Sequence, residues 1–505
     1  MAEAAAICSE RSLTVFAVNK IPDSKPNYLQ SFSDETSIKK RRQKQPTGSM
    51  SMPLSTALPP GPKGTWIGGN LRQFTSRRLD FFLDIAREYG DIASFRFGPR
   101  RIFLISDPTL IEQVLVTDAR HYIKHFGARM YMPVLGNGLV TSEGDFWLRQ
   151  RRLSQPAFLK NRVLSYAPMM GDLTQKMLET WKPGQMVDIH YEFSRLTSAI
   201  ALKTLFGLDD SGDREKFVET LRGAFDLMSL RFRSLIRLPS WFPTWSNVKL
   251  RRAVAELREV VDGFIAAGRE RVKSRNGNLE ANSPEDLLSR LVTAKDDDGS
   301  MMTDEQLRDE AMTLYLAGHE TTALTLSWSW YLLSQHPGIE EKLVDEWKRV
   351  LAGKTPTPDD LPHLPYTDAV ITEAMRVYPP VYLIGREAVT ELELGGYRVK
   401  KGYTVFMSQW VNHRDPRYFP EPEVFRPERW GDGLAKRIPK YAYYPFGGGP
   451  RVCIGNTFAL MEAAILLAVI GQRYRFTLDP NAIIDFNPQI TLMPLHGIPA
   501  TLQLR

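Results

Sequence analysis

The sequence predicts a mainly α chain with a small β lobe, an α+β fold. Three observations predict it. After residue 106, helical periodicity dominates to about residue 380. One helical pattern, from about Asp304 to Gln335, is apolar on nearly all faces and belongs in an interior. Strand patterns are confined to Asp91–Phe97 and Arg101–Ser106 near the start, and to Ala388–Leu394, Arg398–Val405 and Ile490–Leu504 near the end.

Taken in order, residues 1–52 are rich in Ser, Lys and Asp and carry the run Lys39-Lys40-Arg41-Arg42. They read as a disordered, basic N-terminal extension, and residues 53–505 as one folded domain. Met50 and Met52 stand just before Pro53, and translation is expected to start there. Leu58-Pro59-Pro60-Gly61-Pro62 is a stiff lead-in to the fold. Phe81–Tyr89 is a short amphipathic helix, and Gly98-Pro99-Arg100 turns the first two strands into a hairpin.

The net charge of +7 is partly local to the tail, which lacks the interleaved aromatics of a nucleic-acid binder, so nucleic acid is not expected as a partner. No run of eighteen apolar residues exists, and Met1–Gln45 has no signal-peptide core. A soluble, cytoplasmic chain without a transmembrane anchor is expected. The two cysteines, Cys8 and Cys453, exclude a disulfide framework.

Thr303 and Gln306 are spaced to form a reciprocal cap for the long helix, and His336-Pro337 ends it. Inside it lies Ala317-Gly318-His319-Glu320-Thr321-Thr322. Glycine is costly mid-helix, and so is a buried carboxylate. The pair suggests function, although a polar helix-packing site would look the same. Thr321 is placed either to bond back to the carbonyl of Ala317 or to open a local bulge. Further on, Phe446-Gly447-Gly448-Gly449-Pro450-Arg451-Val452-Cys453-Ile454-Gly455 sets one cysteine in a glycine-rich loop before an apolar helix. Backbone N–H groups and the helix N-terminus favour a thiolate there, as a soft metal ligand needs. A lone cysteine is also commonly a small buried hydrophobe, and a nucleophile would want a His base.

The loop pattern Phe-x-x-Gly-x-Arg-x-Cys-x-Gly resembles the haem-binding loop of the cytochrome P450 family, and Ala317–Thr322 resembles its oxygen-activation segment. Glu373-x-x-Arg376 with Phe425-Arg426-Pro427-Glu428-Arg429-Trp430 is similar to the family's structural Glu/Arg/Arg triad. Trp147-x-x-x-Arg151 is similar to its propionate-binding helix. The resemblance covers about residues 58–505 and marks a bacterial-type member, with a triangular helical domain around a buried haem. It implies haem b (iron protoporphyrin IX) with Cys453 as axial iron ligand, Arg451 on a propionate and Phe446 beside the sulfur. Trp147, Arg151, Lys124 and Arg386 supply further propionate contacts. Glu320 and Thr321 are implied as the acid–alcohol pair that relays protons to dioxygen, with His319 structural. Glu373, Arg376 and Arg429 are implied as the bracing triad.

The implied reaction is monooxygenation of a small hydrophobic substrate by O2. No dinucleotide fingerprint stands in the right context, so electrons come from a separate ferredoxin or flavoprotein reductase. Lys436, Arg437, Lys440, Arg149 and Arg152 are the expected docking face for that partner. A peroxygenase or rearrangement enzyme, and a non-catalytic haem sensor, are the alternatives. A monomer is expected. Phe126–Leu135, Phe225–Trp245, Tyr382–Ile384 and Leu492–His496 correspond to substrate walls, and Arg231, Arg233 and Arg237 stand in one of them. The Ala-Gly-His-Glu-Thr-Thr variant and the Thr491–Gly497 turn lean toward a fatty acid, with terpenoids, sterols and alkanes open.

Overall fold

The computed structural model describes residues 57–208, 217, 219–221, 223–224, 227–228, 242, 244–274 and 286–505. The expected extension 1–52 lies outside the described residues, as does most of the expected wall 225–245, including Arg231, Arg233 and Arg237.

The organising element is the helix Asp304–Gln335. It starts as its sequence predicts: Gln306 N donates to Thr303 Oγ1 and Thr303 N donates to Gln306 Oε1, each at 3.2 Å. Two of the four unpaired N–H groups of a helix start are thereby satisfied. Its second half is buried all round, with Leu324, Leu326, Trp328, Trp330 and Leu333 inaccessible. Ile189–Phe206 lies along it, and the apolar helix Asn456–Gly471 packs from another side. Truncating either tryptophan to alanine would cost on the order of 3–5 kcal/mol.

The main sheet has five strands, in the order Ile92–Phe97, Arg100–Ile105, Thr404–Met407, Ile384–Ala388, Tyr122–Lys124. The first pair is the predicted hairpin, with Phe97 opposite Arg100 and Gly98 at a φ of +58° making the turn. The last pair sets Lys124 directly opposite Arg386. A second sheet joins Met186–Asp188, Pro499–Leu504 and Tyr474–Leu478.

Three strand expectations change, the first being Arg398–Val405, which divides between Tyr397–Val399 and Thr404–Met407 in different sheets. Ala388–Leu394 is the end of one strand and the start of another, Leu392–Leu394, which pairs locally with Tyr397–Val399. Ile490–Leu504 divides into Leu492–Pro494 and Pro499–Leu504, which belong to different sheets. The interruption is Leu495–Ile498, where Gly497 takes a φ of +76°. Tyr474–Leu478 follows so closely on the apolar helix that its own alternation is masked in sequence.

The predicted triad forms. Glu373 accepts from Arg376 Nε at 2.9 Å and Nη2 at 2.8 Å, and from Arg429 Nε at 2.8 Å. Trp430 Nε1 and the Arg426 N–H complete its shell at 2.8 and 3.0 Å. One carboxylate faces two guanidiniums here, and backbone carbonyls take the surplus donors. Arg376 reaches His413 and Pro422, and Arg429 reaches Pro420. Removing one partner strands buried charge at a cost of about 3–5 kcal/mol. Because the resemblance implies a haem on the loop this network braces, Glu373→Ala is expected to abolish stable haem incorporation, read as haem per polypeptide. Normal haem content with merely slow turnover would contradict this.

Candidate active site

A cavity of about 1890 Å³ opens between the long helix, the cysteine loop and the Pro380–Arg386 segment. The loop closes when Cys453 N donates to Phe446 O at 3.0 Å. Gly449 is required in it: its φ is +66°, and a Cβ there would sit 1.9 Å from the Leu115 carbonyl oxygen. Cys453 is a free cysteine whose accessible surface faces the cavity, and Phe446 lines the same wall. Burial pushes its thiol above the usual range; the Gly455 N–H and the Arg151 guanidinium oppose that without prevailing. Loop and arginine thus offset only part of the burial. A metal cation at the sulfur would supply the missing charge.

The facing wall comes from Ala317, Gly318 and Thr321 of the long helix. Thr321 Oγ1 donates to Ala317 O at 2.7 Å, as its spacing predicts. A side chain at Gly318 would meet open space, so packing does not demand glycine there. The small residue leaves room instead. His319 turns away, bonded through Nδ1 to Tyr315 O at 3.0 Å and stacked on the Tyr315 ring at 4.6 Å. Glu320 is not in the cavity wall; its carboxylate accepts from Thr491 Oγ1 at 2.5 Å. Adjacent helical residues point about 100° apart, so the two expected partners face different neighbours.

A cluster of cations stands at one side: Lys124, Arg151, Arg386 and Arg451 all line the cavity, with Trp147 among them. The Arg451 guanidinium lies 4.2 Å over the Trp147 ring. It also pairs with Glu143, a carboxylate that sequence reasoning missed. Glu143 further accepts from Lys124 N at 2.6 Å. Arg151 donates to Val452 O at 3.0 Å, and Arg386 to its neighbour Gly385 O at 3.1 Å. Lys124 Nζ donates to Leu139 O and Ser142 O at 2.7 and 3.1 Å. Burial, reinforced by Arg451, pushes the Lys124 amine down to about 6. Burial, again with Arg451, pushes Arg386 down to about 10. Four basic groups thus gather beside Glu143, with Glu310 also near Lys124, a surplus of positive charge that calls for anionic charge in the cavity.

The expected docking face is only partly available. Arg149 and Arg152 are paired with Asp296 at 3.2 and 2.5 Å, leaving Lys436, Arg437 and Lys440 as its expected members.

Sequence reasoning also missed Glu310, fully buried on the long helix. It accepts from Leu139 N at 3.0 Å and Gln150 Nε2 at 3.3 Å. The signal was present as an acid facing an otherwise apolar stretch, but its partners lie about 170 positions away.

The comparisons agree with this geometry. The family model "Cytochrome P450" matches residues 59–499. Cyclooctatin synthase of Streptomyces melanosporofaciens is 35% identical, over 87% of this chain and 94% of its own. Pentalenene oxygenase of Streptomyces avermitilis is 33% identical, over 86% and 94%. Carotene epsilon-monooxygenase of Arabidopsis thaliana is 31% identical, over 81% and 79%. A solved cyanobacterial structure with retinoic acid bound has 26% identity and a TM-score of 0.76, covering 89% of this chain and all of its own. Among the described residues no helix is long and apolar enough to cross a membrane, and no group of three His, Cys, Asp or Glu gathers to hold a metal.

Burial raises the Glu310 carboxyl to about 7, so the fold keeps its proton where the unfolded chain loses it. That stability is full below about 4.5 and is lost as pH rises through about 7. Lys124 runs the opposite way, so the difference between variant and wild type is the readout. Glu310→Gln is expected to gain about 1–3 kcal/mol over wild type between pH of about 5 and about 8, measured by denaturant unfolding.

Proposed function

This chain belongs to the cytochrome P450 family, and we propose that it is a monooxygenase that hydroxylates an isoprenoid substrate at the cavity bearing Cys453. The observation that carries the substrate class is a set of relatives named for making cyclooctatin or for oxygenating cyclooctat-9-en-7-ol, pentalenene or carotene, beside a solved neighbour that holds retinoic acid. The lining is dominated by apolar side chains such as Leu314, Leu316 and Phe406. A fatty acid is the second reading, favoured by the sequence of the 491–497 turn. Residues 1–52 are read as an extension outside the haem domain.

The family implies haem, and the residues present fit it. One sulfur lines one wall without a metal cage of protein ligands around it. The cation surplus of Lys124, Arg151, Arg386 and Arg451, with Trp147, suits the two carboxylates of haem b. Bound through Cys453, that group supplies the family's thiolate-assisted activation of dioxygen.

The chain's own residues do the rest. The Phe446 carbonyl and the Gly455 N–H fix Cys453 from both sides. Ala317 and Gly318 keep side chains out of the space beside the helix. Thr321 presents a hydroxyl to that space, held by Ala317 O, and turns it outward to donate a proton. Glu320, at the next helical position, accepts from Thr491 and lies outside the cavity wall, so it takes up a proton from water and passes it to Thr321 only after that hydrogen bond opens. This relay favours dioxygen over peroxide as oxidant and enzyme over sensor. Electrons arrive from a separate ferredoxin or flavoprotein on the side of Lys436, Arg437 and Lys440.

Holoenzyme with a surrogate ferredoxin and reductase is expected to convert a cyclic terpene or a carotenoid to an alcohol carrying one 18O atom from labelled O2. Turnover of fatty acids alone would overturn the substrate class. Thr321→Ala is expected to lower product per NADPH about 10- to 100-fold while the substrate dissociation constant stays within about twofold. An equal fall in binding would show that Thr321 only shapes the cavity.

A further inference from the structure

Glu310 is a carboxylate fully buried on the long helix, outside the wall of the cavity. With its neighbour Asp309 it holds down the loop 136–142, which crosses the helix closely. Asp309 accepts from Asn137 N at 2.7 Å and Glu310 from Leu139 N at 3.0 Å. A Cβ at Gly138 would sit 2.3 Å from Thr313 Oγ1 and 2.5 Å from the Asp309 carbonyl oxygen, so glycine alone allows that approach. Holding one backbone N–H needs only one acceptor, which a neutral amide supplies. A carboxylate at full burial is a costly way to provide it.

The loop carries the connection onward. Leu139 gives its N–H to Glu310 and its carbonyl to Lys124 Nζ at 2.7 Å, and Ser142 O takes the same amine at 3.1 Å. One residue of backbone therefore stands between a buried acid and a base that lines the cavity. Burial drives the proton off Lys124, and Arg451 and Arg386 add to that; Glu143 and Glu310 are the two carboxylates that favour its charge. Glu143 is already paired with Arg451. Around Glu310, burial and Asp309 favour the protonated carboxyl, while Leu139 N, Gln150 Nε2 at 3.3 Å and the Lys124 charge favour the carboxylate. Arg149 stands behind that amide, 3.4 Å from Gln150 Oε1. Two ionisable groups that each shift the other titrate as a pair.

We propose that Glu310 is a positioning residue for the cofactor: through Leu139 and through its charge it holds the proton on Lys124, so that the reduction potential of the bound haem follows the proton content of this pair. One electron entering the haem adds one negative charge to the cavity, and the pair responds by drawing a proton from water. No bond between heavy atoms forms or breaks. The electron comes from the redox partner, and the proton rests on the Lys124 amine or the Glu310 carboxyl. The potential is therefore highest while the pair is protonated, falls as pH rises through its titration and levels off above it. Burial brings Lys124 down to about 6 and Glu310 up to about 7, which centres the fall near neutral pH. The inference rests on the haem assignment above and is independent of the substrate class.

The test is spectroelectrochemical titration of substrate-free holoenzyme from about pH 5 to about pH 9, with haem per polypeptide and the Soret band recorded for each sample. Wild type is expected to show a fall in potential across this range. Glu310→Gln keeps an acceptor for Leu139 N and removes the charge. It is expected to move the centre of the fall lower by at least about half a pH unit, about threefold in proton affinity, at unchanged haem content. Lys124→Met is expected to move it higher, because Glu310 then loses the cation that favours its ionisation. The double variant is expected to lose the fall, and Glu310→Asp, which restores the charge, to return it toward the wild-type position. A flat wild-type curve, or a fall that Glu310→Gln leaves in place, overturns the proposal and leaves Glu310 as a clamp on the loop. A fall that persists unmoved in the double variant also overturns it, since other groups then take the proton. In each of these cases a normal Soret band leaves the haem assignment standing. A protein that takes up no haem would sink that assignment and this proposal with it.

Discussion

The chain that leads into the cysteine loop is anchored by one buried carboxylate, Glu373. It binds two arginines, an indole and a backbone amide, and so ties the helix Pro365–Val377 to the irregular chain that follows residue 410. The tie continues outward. Arg376 holds the His413 carbonyl at 2.8 Å, and His413 Nε2 accepts from Tyr444 N at 3.1 Å. Burial, with Arg376 and Arg414 beside it, keeps His413 well below its usual range, so it stays a neutral acceptor. Tyr443 Oη returns to Thr372 O at 2.8 Å. The segment entering the glycine loop is therefore referenced to a rigid helix by a continuous run of hydrogen bonds. Irregular backbone becomes a precise support only when its polar groups are paired in this way.

The opposite constraint governs the cation cluster. Lys124 and Arg386 face each other across paired strands, where like charges repel. Arg451 joins them, and Glu143 offsets only part of the charge. Such a cluster is tolerable when an anionic ligand belongs to the folded state. Binding free energy then adds directly to the stability of the fold. The Glu373 network is self-sufficient, while the cation cluster is complete only with its ligand. Both are rich in arginine, yet one braces the protein and the other waits on a carboxylate-bearing guest.

How far the sequence reaches follows from this division. Local patterns were legible: the capped helix Asp304–Gln335, the Gly98 hairpin and the glycine loop each carry their cause within a few residues. The triad was legible because a family resemblance joined two distant segments. Glu143, Glu310, Thr491 and Gln409 were not, since each draws its meaning from a partner or a cavity wall far along the chain. The pairing of Arg149 and Arg152 was hidden for the same reason; Asp296, nearly 150 positions on, bridges both. Charge in a sequence is visible, but its compensation is a property of the fold.

The turn Pro488–Thr491 shows how the two ends of the cavity are physically joined. Arg78 and Tyr382 hold its Pro488 carbonyl, and Tyr382 Oη donates to Gln489 O at 2.7 Å. Two residues later Thr491 donates to Glu320. The adjoining Leu492 carbonyl takes the Trp328 indole at 2.9 Å, which fixes the strand beyond the turn to the long helix. The turn is thus held at both sides while its middle spans the gap between them. Any movement of Arg78 off the Pro488 carbonyl loosens one side of a segment whose other side holds the Glu320 carboxylate. A shift of a few tenths of an ångström there is enough to weaken a hydrogen bond as short as that of Glu320, because such bonds lose strength steeply with geometry. The Arg78 end of the cavity and the Glu320 carboxylate are therefore coupled through one four-residue turn.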